Sequence, residues 1–168
     1  MRSVWRFLAP SLLGVLLVHG PAPAGAAGPE AAGSDTIRRG VQAYAQQDYA
    51  RARELLAPAA RAGQGRALFY LARMHSRGHG VDRDEARASD LYQQAAEAGF
   101  ARAQPILAAR YMDGTGLPQD NVAAYRWLTI AARGGNRQAR KLRDEWLIPR
   151  MGPQELRRGP AAANAGSD

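Results

Sequence analysis

Apolar residues recur every three to four positions from residue 35 to residue 147, and this spacing predicts a series of amphipathic helices. Three stretches of this region, residues 48–63, 84–99 and 120–135, align without gaps at a spacing of 36 residues. A fixed period of this length is typical of stacked supersecondary units. The pattern therefore predicts one structural unit repeated along the chain.

The aligned columns have local physical reasons. Each stretch opens with an aspartate, which can cap a helix N-terminus and complement the helix dipole. A pair of large apolar residues and then a pair of alanines follow on one face, so that a neighbouring helix can approach closely. A glycine closes each helix at a left-handed position. The columns are Asp48, Asp84 and Asp120; Ala59, Ala95 and Ala131; and Gly63, Gly99 and Gly135.

The other helix of each unit precedes the capped helix and is the first helix of the unit. It is predicted from about residue 64 to residue 77, with Leu68, Leu71 and His75 at helical spacing. Gly78 ends it, and a Gly-x-Gly turn leads to the next capping aspartate, so the unit is a helix pair. Pro58 falls inside a first-unit helix and is expected to kink or loosen it, because proline has no backbone N–H.

These residues resemble the Sel1-like repeat, a relative of the tetratricopeptide repeat. The resemblance rests on Ala67-x-x-x-Leu71-Ala72-x-x-His75-x-x-Gly78-x-Gly80 and its continuation through Asp84, Leu91-Tyr92, Ala95-Ala96 and Gly99, and it recurs from residue 103 to residue 135. It covers about residues 36–147. It implies an all-α fold, a right-handed α-α superhelical solenoid of helix pairs whose first helices line a concave face.

The chain begins with a different pattern. Arg2 and Arg6 accompany an apolar run that ends in the small-x-small sequence Ala24-Gly25-Ala26, which predicts a secretory signal peptide. The run is shorter than the roughly 20 residues of a membrane-spanning helix. We therefore expect no stable membrane span after cleavage and a periplasmic protein. An uncleaved anchor in the inner membrane and secretion from the cell remain open alternatives.

The resulting division has four parts. The repeat region is bounded by a flexible mature N-terminus and a mostly disordered C-terminal tail. Within it, the last helix is expected to cap the stack without a partner, using Leu142 and Trp146, whereas Trp127 is expected in the core. The predicted boundaries are 1–26 for the signal peptide, 27–34 for the flexible segment, 35–147 for the solenoid (units 35–63, 64–99 and 100–135, capping helix 136–147) and 148–168 for the tail.

Composition narrows the choice of chemistry. The chain has 35 alanines, 22 arginines, one lysine and no cysteine, which favours helices and excludes disulfides, thiolate metal sites and cysteine nucleophiles. The formal charge is +8, and loss of residues 1–26 removes two arginines and no acids, leaving +6. An exported protein rarely meets nucleic acid. The charge thus indicates acidic proteins, anionic glycans or anionic lipid surfaces as partners, and no nucleic acid.

Motifs for catalysis are missing from the sequence. No nucleophile elbow, zinc-protease helix or phosphate-binding loop is present. His75 and His79 have a metal-ligand spacing, but Gly78 interrupts the helix between them, which favours packed histidines. We expect no enzyme activity, no catalytic residue, no metal and no cofactor. The only alternative with named residues is a cell-wall hydrolase using His79, Asp82 and Asp84.

The expected function is therefore binding. An exported scaffold that binds a protein or peptide, including an acidic one, on the concave face is the first choice, because arginines bind carboxylates bidentately. A glycan- or exopolysaccharide-linked assembly factor that binds an anionic glycan is the alternative. The residues expected on the concave face are Arg66, Phe69, Arg73, Arg77, Arg102 and Met112.

Overall fold

A computed structural model describes residues 29–165 of the chain. The predicted signal peptide lies outside the described residues. Within them the structure contains helices and no strand, and none of these helices is long and apolar enough to cross a membrane. The α-helices are α1 (Pro29–Ala45), α2 (Tyr49–Arg61), α3 (Gly65–Arg77), α4 (Glu85–Glu97), α5 (Ala103–Asp113), α6 (Asn121–Arg133), α7 (Arg137–Lys141) and α8 (Pro153–Asn164).

The helices form consecutive pairs. α1 packs against α2, α3 against α4 and α5 against α6, and each pair also contacts the next one. The predicted all-α superhelical solenoid is therefore confirmed. The caps follow the repeat: Asp48, Asp84 and Asp120 accept hydrogen bonds from backbone N–H groups in the first turns of α2, α4 and α6. α2 continues through Pro58 to Arg61.

The core is a single apolar layer between the two rows of helices. Small side chains at Ala52, Ala88 and Ala124, which are 36 residues apart, are fully buried and let the helices approach one another. Leu56, Leu107 and Leu128 are also fully buried. Trp127 is only 5% exposed, as predicted. At about 25 cal/mol per Å² of apolar surface, such burial is the main stabilising term of the stack.

Both ends of the solenoid differ from the predictions. α1 begins at Pro29, so residues 29–34 belong to a helix and not to a flexible segment. The tail is helical as well: α8 packs against α6, and Gly159 and Ala163 are buried there. α8 therefore lies beside α6, and the predicted capping helix is not the last helix of the chain. Proline at the first position and a hydrogen bond from the Gly152 N–H to Glu155 Oε2 (2.7 Å) start α8, although the segment has few large apolar residues.

The capping helix also changes its winding. After α7, residues Leu142–Leu147 form a π-helix, and Ile148–Arg150 form a 3₁₀ turn. A π-helix accommodates one residue more per turn than an α-helix. Leu147 consequently takes the buried place that the 36-residue repeat assigns to Trp146, and Trp146 is 39% exposed. The prediction that Trp146 packs as a cap is therefore wrong.

Candidate functional site: the arginines of the α3 face

Three of the predicted binding residues lie on one stripe of α3. Arg66, Arg73 and Arg77 are separated by seven and four residues, which places them on the same side of the helix. Arg66 and Arg77 are exposed, and Arg73 is half-buried. We call these three residues the α3 arginine stripe. Arg102, the repeat equivalent of Arg66, is exposed just before α5.

Two other predicted residues are not available for binding. Phe69 is 5% exposed and Met112 is 6% exposed, and both belong to the core. The Phe69 ring packs against Tyr92 (5.7 Å between centroids) and Phe100 (5.1 Å), on the side of α3 that faces the following helices. Phe69 therefore lies in the core beside the stripe. The sequence placed it on the surface because a spacing of three residues from Arg66 is also compatible with one helix face.

Aromatic rings hold Arg73 in place. Its guanidinium carbon lies 5.1 Å from the centre of the Tyr44 ring on α1, 5.8 Å from Tyr70 and 5.9 Å from Phe69. Such cation–π contacts orient an arginine while its N–H groups keep their capacity to donate. Among the described residues, no hydrogen bond from the Arg73 side chain and no ion pair of Arg66, Arg73, Arg77 or Arg102 is found.

The pKa of the Tyr92 hydroxyl depends both on its burial and on the positive charges of this face. Burial raises the pKa of Tyr92, and the positive charges of Arg110, Arg73 and Arg77 act in the opposite direction. Tyr92 belongs to α4, so the influence of Arg73 and Arg77 extends across to the neighbouring helix. The face is therefore electropositive beyond the individual side chains.

A second cluster of polar residues was not predicted. Arg110 on α5 is buried and donates to Ser89 Oγ (2.9 Å), Ser76 Oγ (2.8 Å) and Glu85 Oε2 (2.9 Å), as well as to the Glu85 carbonyl oxygen (3.3 Å). Its guanidinium also lies over the Tyr92 ring, 4.9 Å from the centroid. We call Arg110, Glu85, Ser76 and Ser89 the Arg110 cluster. The hydrogen bonds of this cluster join α5 to α3 and α4.

The charge balance of the Arg110 cluster follows from its contacts. Desolvation by itself would raise the pKa of the Glu85 carboxyl, but the hydrogen bonds and positive charges of Arg83 and Arg110 outweigh it and lower the pKa. Glu85 is therefore ionised at neutral pH and paired. A signal for this cluster exists in the sequence, because Arg110 stands 36 residues after Met74, which is fully buried. A charged residue in an apolar column needs buried partners.

Two of the residues considered for hydrolysis have structural partners. His79 Nδ1 lies 3.2 Å from the Tyr44 hydroxyl, and the His79 ring stacks on Tyr49 at 4.5 Å. Asp84 is occupied as the cap of α4 and accepts from the Arg87 N–H at 2.8 Å. An open groove beside them is lined by Arg53, His75, Gly78, Gly80, Val81, Asp82 and Asp84. No cluster of His, Asp and Glu suited to a metal ion occurs among residues 29–165.

Comparison with known proteins places the repeats in a family. The Sel1 repeat family matches residues 39–64, 65–100 and 101–136. A Sel1 repeat protein from Oxalobacter formigenes has a similar structure, with a TM-score of 0.62 and 32% identity over 68% of this chain and 89% of that one. No curated protein matches the sequence.

A second solved structure shares the fold alone. It is a protective antigen present in uropathogenic Escherichia coli strains, described as displaying an SLR fold, with a TM-score of 0.73 and 23% identity. The match covers 80% of this chain but only 29% of the antigen. Sel1 repeats are generally protein–protein interaction modules, and proteins built from them are typically scaffolds without enzyme activity. With three matched repeats over more than half of its length, this chain belongs to the Sel1 repeat family.

Proposed function

We propose that this protein is an exported scaffold that binds a protein or peptide partner on the concave face formed by its first-type helices α1, α3 and α5. The observation that carries the proposal is the α3 arginine stripe, whose side chains form no ion pair with any acidic residue between positions 29 and 165. Repeat solenoids use such extended faces for recognition. The family's general role in protein interaction supports the same function.

Site-specific photo-crosslinking in the native envelope tests this function. A photoreactive residue at Arg66 or Arg102 is expected to capture one defined protein, which mass spectrometry identifies. The same residue at Arg87, on the second-type helix α4, serves as the control because it is equally exposed but lies on the other row of helices. Capture from Arg87 alone, or no capture from Arg66 and Arg102, would contradict binding on the concave face.

We also propose export to the periplasm, on the basis of the leader sequence alone. Cleavage after Ala26 predicts a mature N-terminus at Ala27. N-terminal peptide mass spectrometry on the periplasmic fraction tests this. A chain that keeps residues 1–26 and fractionates with the inner membrane would instead support an anchored protein, and recovery from the medium would support secretion.

A glycan-linked assembly factor is the second candidate, and one observation favours it. Trp146 is exposed on the π-helix, and the Arg150 guanidinium stacks over its ring at 4.0 Å. An exposed aromatic ring beside a cation suits a sugar ring that carries an acidic group. Loss of polyuronate binding in Trp146→Ala, with no change in Arg77→Gln, would favour this candidate over a peptide-binding scaffold.

A further inference from the structure

We propose that the α3 arginine stripe is a binding site for two carboxylates of an extended acidic peptide, with Arg73 and Arg77 each holding one of them. The inference rests on the proposed function, because it names the chemistry of the partner bound at that face. The occupant is a peptide segment with two acidic residues separated by one other residue.

The Arg73 side chain is already held in place in the free protein. The rings of Tyr44, Tyr70 and Phe69 surround its guanidinium at 5.1–5.9 Å and restrict the side chain. Ordering a long arginine side chain normally costs rotamer entropy, and these ring contacts already restrict the side chain in the free protein. The N–H groups are not used in hydrogen bonds within residues 29–165, so a bidentate contact with a carboxylate remains open to them.

Arg77 supplies a second positive charge, which forms no ion pair in the part of the chain that the structure describes. It follows Arg73 by four residues, so the two side chains leave the helix about 6 Å apart along its axis. Two like charges at this spacing repel each other in the free protein. A bound pair of carboxylates would remove that repulsion. Its removal would stabilise the complex relative to the free protein.

The spacing indicates an extended peptide. Side chains at positions i and i+2 of an extended strand point to the same side and lie about 6.6 Å apart. This distance is close to the axial separation of Arg73 and Arg77.

Other exposed arginines show the contrast. Arg83 pairs with Glu85 at 2.7 Å, and Arg87 pairs with Asp90 at 2.8 Å. Arg83 and Arg87 are also four residues apart in sequence, yet each forms an ion pair with an acidic residue two or three positions away. Arg83 and Arg87 therefore provide a control pair with the same charge and the same separation in sequence but without the open binding capacity, although Arg83 precedes α4.

Titration calorimetry with short peptides tests the site. The probes are acetyl-Ala-Glu-Ala-Glu-Ala-amide and its counterpart with both glutamates replaced by glutamine, added to the purified protein. The acidic peptide is expected to bind, and the glutamine peptide is expected to bind at least tenfold more weakly. The double variant Arg73→Gln/Arg77→Gln should weaken binding of the acidic peptide at least tenfold, whereas Arg83→Gln/Arg87→Gln should change it less than twofold.

Two additional variants keep the result interpretable. Because Arg73 packs on aromatic rings, its loss can disturb the fold, so Arg77→Gln alone is included and should weaken binding at least threefold with an unchanged circular dichroism spectrum. Arg73→Lys/Arg77→Lys retains the charge and removes the bidentate geometry. It should lose affinity too.

Several results would overturn the inference. Equal weakening by both double variants would mean attraction by net charge, and equal binding of both peptides would exclude recognition of carboxylates. No binding of the acidic peptide at millimolar concentration, or tighter binding of a galacturonate tetrasaccharide that depends on Arg73 and Arg77, would equally reject a peptide site.

The crosslinking experiment separates this inference from the proposed function. If the partner is still captured from Arg102 in the Arg73→Gln/Arg77→Gln variant with undiminished yield, the scaffold function stands and the carboxylate site is wrong. If nothing is captured from Arg66 or Arg102 in the unmodified protein, the proposed function itself is wrong.

Discussion

The interior of the solenoid and its C-terminal end use the same repeat positions in different ways. Gly116 lies so close to α4 that a Cβ built on it would be 2.0 Å from the Glu85 carbonyl oxygen, and Gly80 approaches Tyr49 on α2 in the same manner. At Gly152, again 36 residues on, the nearest atom is Glu155 Oε2 at 3.7 Å. The repeat period thus predicts where a glycine recurs. Of these three glycines, only those between two interior helix pairs, Gly80 and Gly116, pack closely against a neighbouring helix.

Helix α8 shows the same difference. It runs parallel to α6, because Asn121 bonds to Glu155, Gly159 lies against the Tyr125 ring and Arg133 bonds to Asn164. Only Gly159 and Ala163 of its residues are buried, compared with six residues of α6. Since burial of large apolar side chains supplies most of the stability of a helix in a protein, α8 is held mainly by polar contacts and small residues.

The largest effect is expected from tryptophan replacement. Trp127→Ala should lower the free energy of unfolding by roughly 3–5 kcal/mol, because it removes a buried ring and leaves a cavity. Trp146→Ala, at the exposed position, should cost less than about 1 kcal/mol. Urea unfolding followed by circular dichroism measures both. A cost below about 1 kcal/mol for Trp127→Ala would contradict the placement of this residue in the core.

The glycine comparison should give the next largest effect. Gly116→Ala is expected to destabilise the protein by about 3 kcal/mol, because the new methyl group would overlap the backbone of α4 and the residue has a φ of +70°. Gly114→Ala has the same φ but no neighbour closer than 3.6 Å, so it should cost only about 1 kcal/mol. Gly152→Ala should change stability by less than about 0.5 kcal/mol. Thermal unfolding of the three variants ranks them, and equal costs for Gly116 and Gly152 would contradict the comparison.

Removal of the buried arginine should have a somewhat smaller effect. Arg110→Ala is expected to cost about 2–3 kcal/mol, because Ser76, Ser89 and the half-buried Glu85 lose their donor. The double variant Arg110→Ala/Glu85→Gln should recover part of this loss, because it removes the charge of a carboxylate that would otherwise keep only Arg83 and Ser76 as donors. A double-mutant cycle in urea measures the coupling, and strictly additive costs would mean that Arg110 and Glu85 do not interact.

The smallest effect concerns pH. The lowered pKa of Glu85 means that its contribution to stability is complete above the unfolded-state value of about 4.5 and is lost as the pH falls through the lower folded-state pKa. Between pH 6 and 3, wild type should therefore lose up to about 1 kcal/mol more than Glu85→Gln. Glu145→Gln, at the exposed C-terminal pair with Lys141 (3.8 Å), should behave as wild type. Equal pH profiles for wild type and Glu85→Gln would contradict the pairing.

The sequence predicted those features that depend on a few neighbouring residues. Asp84 caps α4, and Gly63, Gly99 and Gly135 follow helices in the left-handed conformation, because each requirement is met within one turn of chain. The same reasoning placed Arg66 and Arg77 on the surface. These local rules suffice for the helix pairs and for their order.

The features that were missed depend on contacts distant in sequence. Phe69 and Met112 were expected on the surface, since helical spacing alone does not show that Tyr92 and Phe100 cover the Phe69 side of α3. Nor does composition predict α8, whose residues gain order only by lying along α6. The π-helix, which buries Leu147 in place of Trp146, could be predicted only from the shape of the core that Leu147 completes.

The Arg110 cluster also limits how this solenoid can grow by duplication. If residues 100–135 were copied and inserted behind themselves, the copied arginine would meet Asn121 where Arg110 meets Glu85, Tyr125 where it meets Ser89, and Met112 where it meets Ser76. It would enter the core without a carboxylate, at a cost that can exceed the gain from a further helix pair. A copy of residues 64–99 would carry the apolar Met74 at that place, so that no arginine is buried without a carboxylate, and Glu85 facing it would keep its ion pair with Arg83. The second unit is therefore the one that gene duplication, or a designer lengthening the protein, can repeat.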